Sequence, residues 1–290
     1  MSRSREATIS PRRRMRIREQ EQPLGIRRGS DLNRLTRDLR LVGRHLYYEQ
    51  LSFWLNPIGA VFSIGFSVVF LTLLAIAGGT SKVASLGGAP LIQYYVASFC
   101  AYGVMSVCFS NLAITLVIRR ENRQLMRLRL SPLPTWALVA ATSLNAAIIS
   151  AVDIIVLILI GILAFHVTLP TQPLTLVLVV LIGVGCFSMI GVAASTAIPN
   201  QESAGPVVSL VFFVLVFLSG LYFPLAPGSA LAMISNWFPV RHMITAVFAT
   251  FSSQPGTEAF PWQDLLIMVI WGAVGALMAL RRFRWEPRRR

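Results

Sequence analysis

Six stretches of this chain carry no basic residue and are built almost wholly from apolar side chains. They dictate the solvent in which it can fold. They are residues 57–77, 91–118, 136–165, 174–198, 207–223 and 265–280, of 21, 28, 30, 25, 17 and 16 residues. A helix needs about 20 apolar residues to cross a hydrocarbon core roughly 30 Å thick, where lipid offers no partner to an exposed backbone. The first four runs meet that length outright. The last two recruit flanking residues, the sixth starting near Trp262. The two longest imply tilt or extension into the cytoplasm. Asp153 is the one acid within any run. The expected fold is an all-α membrane protein with six transmembrane helices.

A net charge of +14 would suit a nucleic-acid binder if the bases shared a surface. They do not, and nucleic acid is excluded as a partner. Of 25 Arg and one Lys, 13 precede the first run, five fall in residues 119–135 and six follow residue 280. Only Lys82 and Arg241 lie elsewhere, so the tally is 24 against two. The positive-inside rule then places both termini in the cytoplasm, as an even number of spans also requires. Charged residues make up 13% of the chain, against about 25% in soluble domains, which argues against an ordinary soluble enzyme.

Four regions follow. Residues 1–30 form a disordered basic cytoplasmic arm, too poor in apolar groups to fold and suited to anionic headgroups. Its acids, Glu6, Glu19 and Glu21, argue against a mitochondrial presequence, and the first apolar run starts too late for a secretory signal. Residues 31–56 form an interfacial helix: Leu32, Leu35, Leu39, Val42 and Leu46 recur at three- and four-residue spacing, with Arg34, Arg37, Arg40 and Arg44 between them. Tyr47, Tyr48, Phe53 and Trp54 supply an aromatic belt at headgroup depth. Residues 57–280 hold the six spans, and 281–290 a basic cytoplasmic tail. Cys100, Cys108 and Cys186 all fall within spans and read as buried small hydrophobes. Gly59, Ser63 and Ser67, with the pairs Gly272–Ala276 and Gly275–Ala279, have the spacing of close helix packing.

The third span is preceded by Arg119-Arg120-Glu121-Asn122-Arg123-Gln124-Leu125-Met126-Arg127-Leu128-Arg129-Leu130-Ser131-Pro132-Leu133-Pro134. It reads as a short cationic helix stopped by its prolines. Glu121, Leu128 and Ser131-Pro132-Leu133 resemble the loop between the second and third spans of ABC-2 type transporter permeases, although Arg123-Gln124 replaces the usual Gly-Thr. Phe217-Leu218-Ser219-Gly220-Leu221-Tyr222-Phe223-Pro224 is similar to the family's Leu-Ser-Gly-x-Phe/Tyr-Phe-Pro ending of the fifth span. Asn236-Trp237-Phe238-Pro239-Val240-Arg241-His242 resembles its external segment before the sixth. The order and spacing of the three motifs make the family resemblance specific, and within the family the chain most resembles the drug- and daunorubicin-resistance exporter branch.

The resemblance implies a permease that moves a hydrophobic or amphipathic substrate, drug or lipid-like, out of the cytoplasm or inner leaflet of a bacterial cytoplasmic membrane. Export of a lipid-linked glycan or polysaccharide is the alternative. ATP and Mg would sit on a separate ABC ATPase dimer, since the sole Lys, Lys82, is followed by Val83 and no P-loop exists. The chain itself would bind no cofactor or metal and would pair with a second permease copy or a paralogue, among membrane lipids. Glu121, Arg123, Leu125, Arg127 and Leu128 would couple to the ATPase. Asn111, Thr115, Ser209, Phe213, Phe217, Ser219 and Gly220 would line or gate the pathway. Residues 225–260, with apolar segments at 230–234 and 242–251, would form short re-entrant helices before the last span. An intramembrane enzyme centred on Asp153 is the rival from another class, but His45, His166 and His242 are scattered and no catalytic motif accompanies that acid. No repeated filter sequence suggests a channel.

Overall fold

The computed structural model describes residues 28–78, 81–82, 86, 89–122, 135–226, 228–251 and 260–282. The helices are α1 (Arg28–Trp54), α2 (Pro57–Gly78), α3 (Leu91–Met105), a π-helical turn (Ser106–Asn111), α4 (Leu112–Glu121), α5 (Thr135–Phe165), α6 (Pro173–Ala197), α7 (Gln201–Ser219), α8 (Ala230–Ser235), α9 (Pro239–Ala249) and α10 (Trp262–Arg282). Among the described residues five helices are long and apolar enough to cross a membrane: Leu91–Glu121, Val139–Phe165, Pro173–Ala197, Gln201–Ser219 and Trp262–Arg281. Within α2 the stretch Ile64–Gly78 is a shorter apolar helix. The chain is an all-α, multi-pass membrane protein.

α3 is the centre of the bundle. Every residue from Ile92 to Met105 is buried, which suits a segment that is apolar all round. α2, α5, α6 and α9 pack around it. The peripheral helices turn Leu163, Leu174, Leu210 and Leu280 outward, as lipid permits. α6 and α10 approach through the glycines whose spacing predicted it. A Cβ on Gly272 would lie 3.2 Å from the Cys186 Cα, and one on Gly275 would lie 2.9 Å from the Ile190 backbone nitrogen. Dispersion is the chief attraction between helices in lipid, so removing a side chain at the crossing favours association.

The helix expected at 31–56 spans Arg28–Trp54, and where its side chains are described the amphipathic pattern holds. Arg40 and Arg44 are exposed while Val42 and Leu46 are half-buried. Both short helices expected before the last span are present as α8 and α9. α9 packs into the bundle: Val240, Met243, Ile244 and Val247 are buried. A Cβ on Gly183 would meet the Met243 sulfur at 2.8 Å. Gly183 lies ten residues, about 15 Å, inside α6, so α9 re-enters well below that helix's end.

The fifth span departs from its expected bounds of 207–223. Asn200 caps the helix early, its side chain accepting from the Ser203 backbone N–H at 2.9 Å, and Glu202 complements the dipole in the first turn. Pro206 is absorbed within the helix. The expected loop at 199–206 therefore shrinks to residues 198–200. At the other end Gly220 takes φ 77°, ψ 21° and stops the helix four residues before Pro224.

Candidate functional site

The second span is not one uniform helix. Its π turn, Ser106–Asn111, lies between α3 and α4. A π turn redirects backbone carbonyls and commonly marks a functional position. Here the Cys108 and Phe109 carbonyls lean on Gly191 of α6, whose missing Cβ would lie 2.8 and 2.9 Å from them. Asn111 at the end of the turn and Thr115 one turn later line a cavity of about 400 Å³. Glu49, Ser52 and Asn56 of the interfacial region and Thr142, Asn145 and Ile149 of α5 complete much of its wall.

At one rim of that cavity Arg119 Nη1 donates to Glu49 Oε1 at 2.5 Å, and His45 Nε2 lies 3.1 Å from the same oxygen. Burial works to raise the Glu49 carboxyl, but the hydrogen bonds from His45 and Arg119, with the guanidinium charge, outweigh it and hold it at about 2. Glu49 thus stays ionised and ties α1 to the second span. Gln50 Nε2 adds a hydrogen bond to the Asn145 carbonyl at 3.3 Å, tying α1 to α5.

The next residue points the opposite way. Arg120 is buried, with Nη1 donating to the Ser195 carbonyl at 3.0 Å and Nη2 to those of Ile198 and Pro199 at 2.6 and 3.3 Å. A guanidinium with its fork of donors closes the C-terminal end of α6, where carbonyls lack helical partners and the dipole is negative. Glu121, half-buried, ends α4 one residue later. The rest of the expected coupling set, Arg123, Leu125, Arg127 and Leu128, lies outside the described residues.

The expected pathway residues do not meet. Ser209, Phe213 and Phe217 lie on the exposed face of α7, Phe213 and Phe217 being 50% and 57% exposed. Asn111 and Thr115 belong to the cavity on the far side of the second span. Ser219 is buried and returns its hydroxyl to the Val216 carbonyl. Gly220 needs a different account from a kink at Pro224. It is the left-handed C-cap of α7, and its carbonyl accepts from the Tyr94 hydroxyl at 2.8 Å and the Phe223 N–H at 3.2 Å. Its absent side chain makes room for Leu225, whose Cγ would lie 2.7 Å from a Cβ. Sequence periodicity had no means of showing that a tyrosine 126 positions away would claim this carbonyl.

Asp153 is buried at 1% exposure where α2, α3 and α5 meet. Its Oδ2 lies 3.5 Å from the Ser67 hydroxyl, and its carboxyl fills the space that a side chain on Gly103 would need. Oδ1 has no hydrogen-bond partner among the described residues. Nor do those residues contain a group of three or more His, Cys, Asp or Glu able to hold a metal.

The opposite end of the bundle is held by backbone carbonyls. Gln93 Nε2 donates to the Phe251 carbonyl at 2.8 Å, and the Thr171 hydroxyl and N–H both donate to that of Thr250. Sequence reading assigned His242 no partner. Its Nδ1 lies 2.6 Å from Asp264 Oδ1 and its Nε2 2.8 Å from the Asn236 carbonyl. Both partners are acceptors, so the doubly protonated ring satisfies both. Burial acts to lower its pKa, but those two partners outweigh it and raise it above 6.5. Trp271 Nε1 donates to the Trp237 carbonyl at 2.9 Å, joining α10 to the same corner. The turn after α8 and the start of α9 carry the Asn236–His242 motif, and the start of α10 packs against them.

The bundle thus places Glu49, Arg119 and Arg120 at one end and α8 and α9 at the other, with an apolar body between. No curated protein matches the chain. The family model for ABC-2 transporter proteins, membrane components that partner ABC ATPase subunits, matches residues 87–281, from just before α3 to the last turn of α10. By that match, over two thirds of its length, the chain belongs to the ABC-2 transporter family.

Proposed function

We propose that this chain is the six-span permease subunit of an ATP-driven exporter, with both termini in the cytoplasm of a bacterial cell. α2 is the first span and α1 lies in the inner interface. Two permease copies, identical or related, meet along the exposed faces of α7, and a pair of separate ATPase subunits binds beneath them with ATP and Mg. Substrate is hydrophobic or amphipathic and leaves between the copies past Ser209, Phe213 and Phe217, with Ser219 and Gly220 at the outer end.

Arg120 is the observation that carries the coupling step. It sits beside Glu121 at the root of the loop read as the ATPase contact, and it grips the segment between the fourth and fifth spans. A push on that loop therefore reaches the base of α7 through a buried guanidinium, without relying on lipid-exposed contacts. Glu49–Arg119 carries the same push to α1. The test is co-purification and turnover with an ATPase partner. Glu121→Arg should weaken assembly or separate ATP turnover from transport, and the effect should persist at physiological salt because screening over ~8 Å spares only close contacts. Normal co-purification with unchanged transport-coupled turnover in that variant would remove the loop from the mechanism.

A further inference from the structure

The cavity behind the second span has a composition that its surroundings do not explain. Eight of its thirteen lining residues are polar. A second cavity, of about 280 Å³ between α6, α7 and α10, is apolar throughout apart from the edge of Trp271, as expected among membrane helices. The polar one opens where α1 gives way to α2, beside the aromatic belt. There Tyr47 and Tyr48 are exposed and Trp54 Nε1 donates to Gln50 Oε1 at 2.9 Å. Tyrosine and tryptophan so exposed mark headgroup depth. None of the lining comes from α7, so the cavity lies within one chain and away from the proposed path between copies.

Its two charges are paired. Glu49 and Arg119 meet at 2.5 Å, so their formal charges cancel and no net charge is left to attract an ionic head. The rest of the polar wall is neutral, and includes the Asn111 amide, the Thr115 hydroxyl and Asn145. The Asn145 Oδ1 is buried and accepts no hydrogen bond from any described residue, and a buried acceptor without a donor costs about 1–3 kcal/mol. Phe53, Val107 and Leu112 supply apolar surface along the same wall. A volume of about 400 Å³ suits a single sugar- or glycerol-sized head.

We propose that this cavity binds the uncharged, hydroxyl-bearing head of an amphiphile, one hydroxyl donating to Asn145 Oδ1 while the apolar tail runs out into the adjoining leaflet. The shared chemistry fits either a resident bilayer lipid or a soluble amphiphile on its way into the membrane. Binding here requires neither ATP nor a second permease copy.

The full chain in phosphatidylcholine nanodiscs, with a decyl glucoside carrying a photoreactive diazirine on its alkyl chain, tests this. Labelled peptides are mapped by mass spectrometry. Saturable labelling is expected within residues 49–56, 107–119 or 142–149, falling about tenfold in Thr115→Val and in Asn145→Leu. A phosphate-headed probe with the same tail should label those peptides about tenfold more weakly. Competition by a glucosyl diacylglycerol in the disc identifies bilayer lipid as the source; competition by soluble alkyl glucoside alone identifies the other. Thiol-dye melting confirms that each variant is folded, and the milder Thr115→Val decides the matter if Asn145→Leu is not. Equal labelling of wild type and Thr115→Val, or preference for the phosphate head, would overturn the proposal. Since no ATPase is present, failure here leaves the exporter reading standing, and failure of ATPase co-purification leaves this binding result standing.

Discussion

Replacing Arg120 by methionine keeps an unbranched stem of similar reach and removes every donor. In the native chain the guanidinium serves three carbonyls at 3.0, 2.6 and 3.3 Å, with 5% of the residue exposed. Two of these contacts are well formed, and a hydrogen bond to a charged group contributes about 1.5–3 kcal/mol net. Losing both would cost about 3–6 kcal/mol, and the desolvation that Arg no longer suffers offsets part of this. A net loss of about 3 kcal/mol follows, equivalent to a melting shift of roughly 6–12 °C for a domain of this size. The assay is built into the fold. Cys100, Cys108 and Cys186 are all free and buried, so a thiol-reactive dye reports when the bundle opens. Arg120→Lys should recover about half the loss, since an ammonium lacks the fork that reaches several carbonyls. Arg119→Met is the comparison: its partner Glu49 keeps His45 at 3.1 Å, so its loss should cost less than that of Arg120. An Arg120→Met protein that melts within about a degree of wild type would refute the assignment of the α6 end to this side chain.

Gly220→Ala should lower stability by about 1–2 kcal/mol, because residue 220 holds φ 77° and a Cβ there crowds Leu225; a gain in melting temperature would contradict the cap. Gly220→Leu should abolish export through that displaced end of α7, read by transport in vesicles holding correctly inserted protein, and wild-type export would exclude it. Gly103→Ala should be severely destabilising because its methyl falls on the Asp153 carboxyl, whereas Gly103→Ala with Asp153→Ala should recover much of the loss. Additive melting shifts in that double-mutant cycle would show the two are not in contact. His242 makes the corner between α9 and α10 pH-dependent. Its folded pKa is raised above 6.5, so the stabilisation is fully present below pH 6.5 and is lost as pH climbs through the raised value. Asp264 and Arg241 are the charged groups acting on it, and His242→Gln should flatten the melting-temperature profile across that window, an unchanged profile excluding the imidazolium.

The multi-pass membrane class and the all-helical fold were legible in the sequence because lipid leaves the backbone so few choices. A run of twenty uncharged residues must be a helix, and arginines can gather only where water is. Glycine spacing at Gly272 and Gly275 likewise foretold a close helix approach, since i and i+4 positions share a face, and the structure supplies α6 as the partner. The two short helices before the last span were visible as apolar segments too brief to cross. What was not legible depends on partners distant in the chain. Arg119 and Arg120 are adjacent and chemically identical, and only packing sends one to Glu49 and the other to the carbonyls of α6. Asn111 and Thr115 looked like pathway residues by analogy, yet both line a cavity behind the second span. Gly220 was legible as a special position, but its role as a cap follows from a tyrosine on α3 and a leucine that needs its space. Periodicity records which face of a helix avoids water or charge. Which neighbour fills that face is decided by crossing angle and side-chain volume, and these exist only once the helices have met.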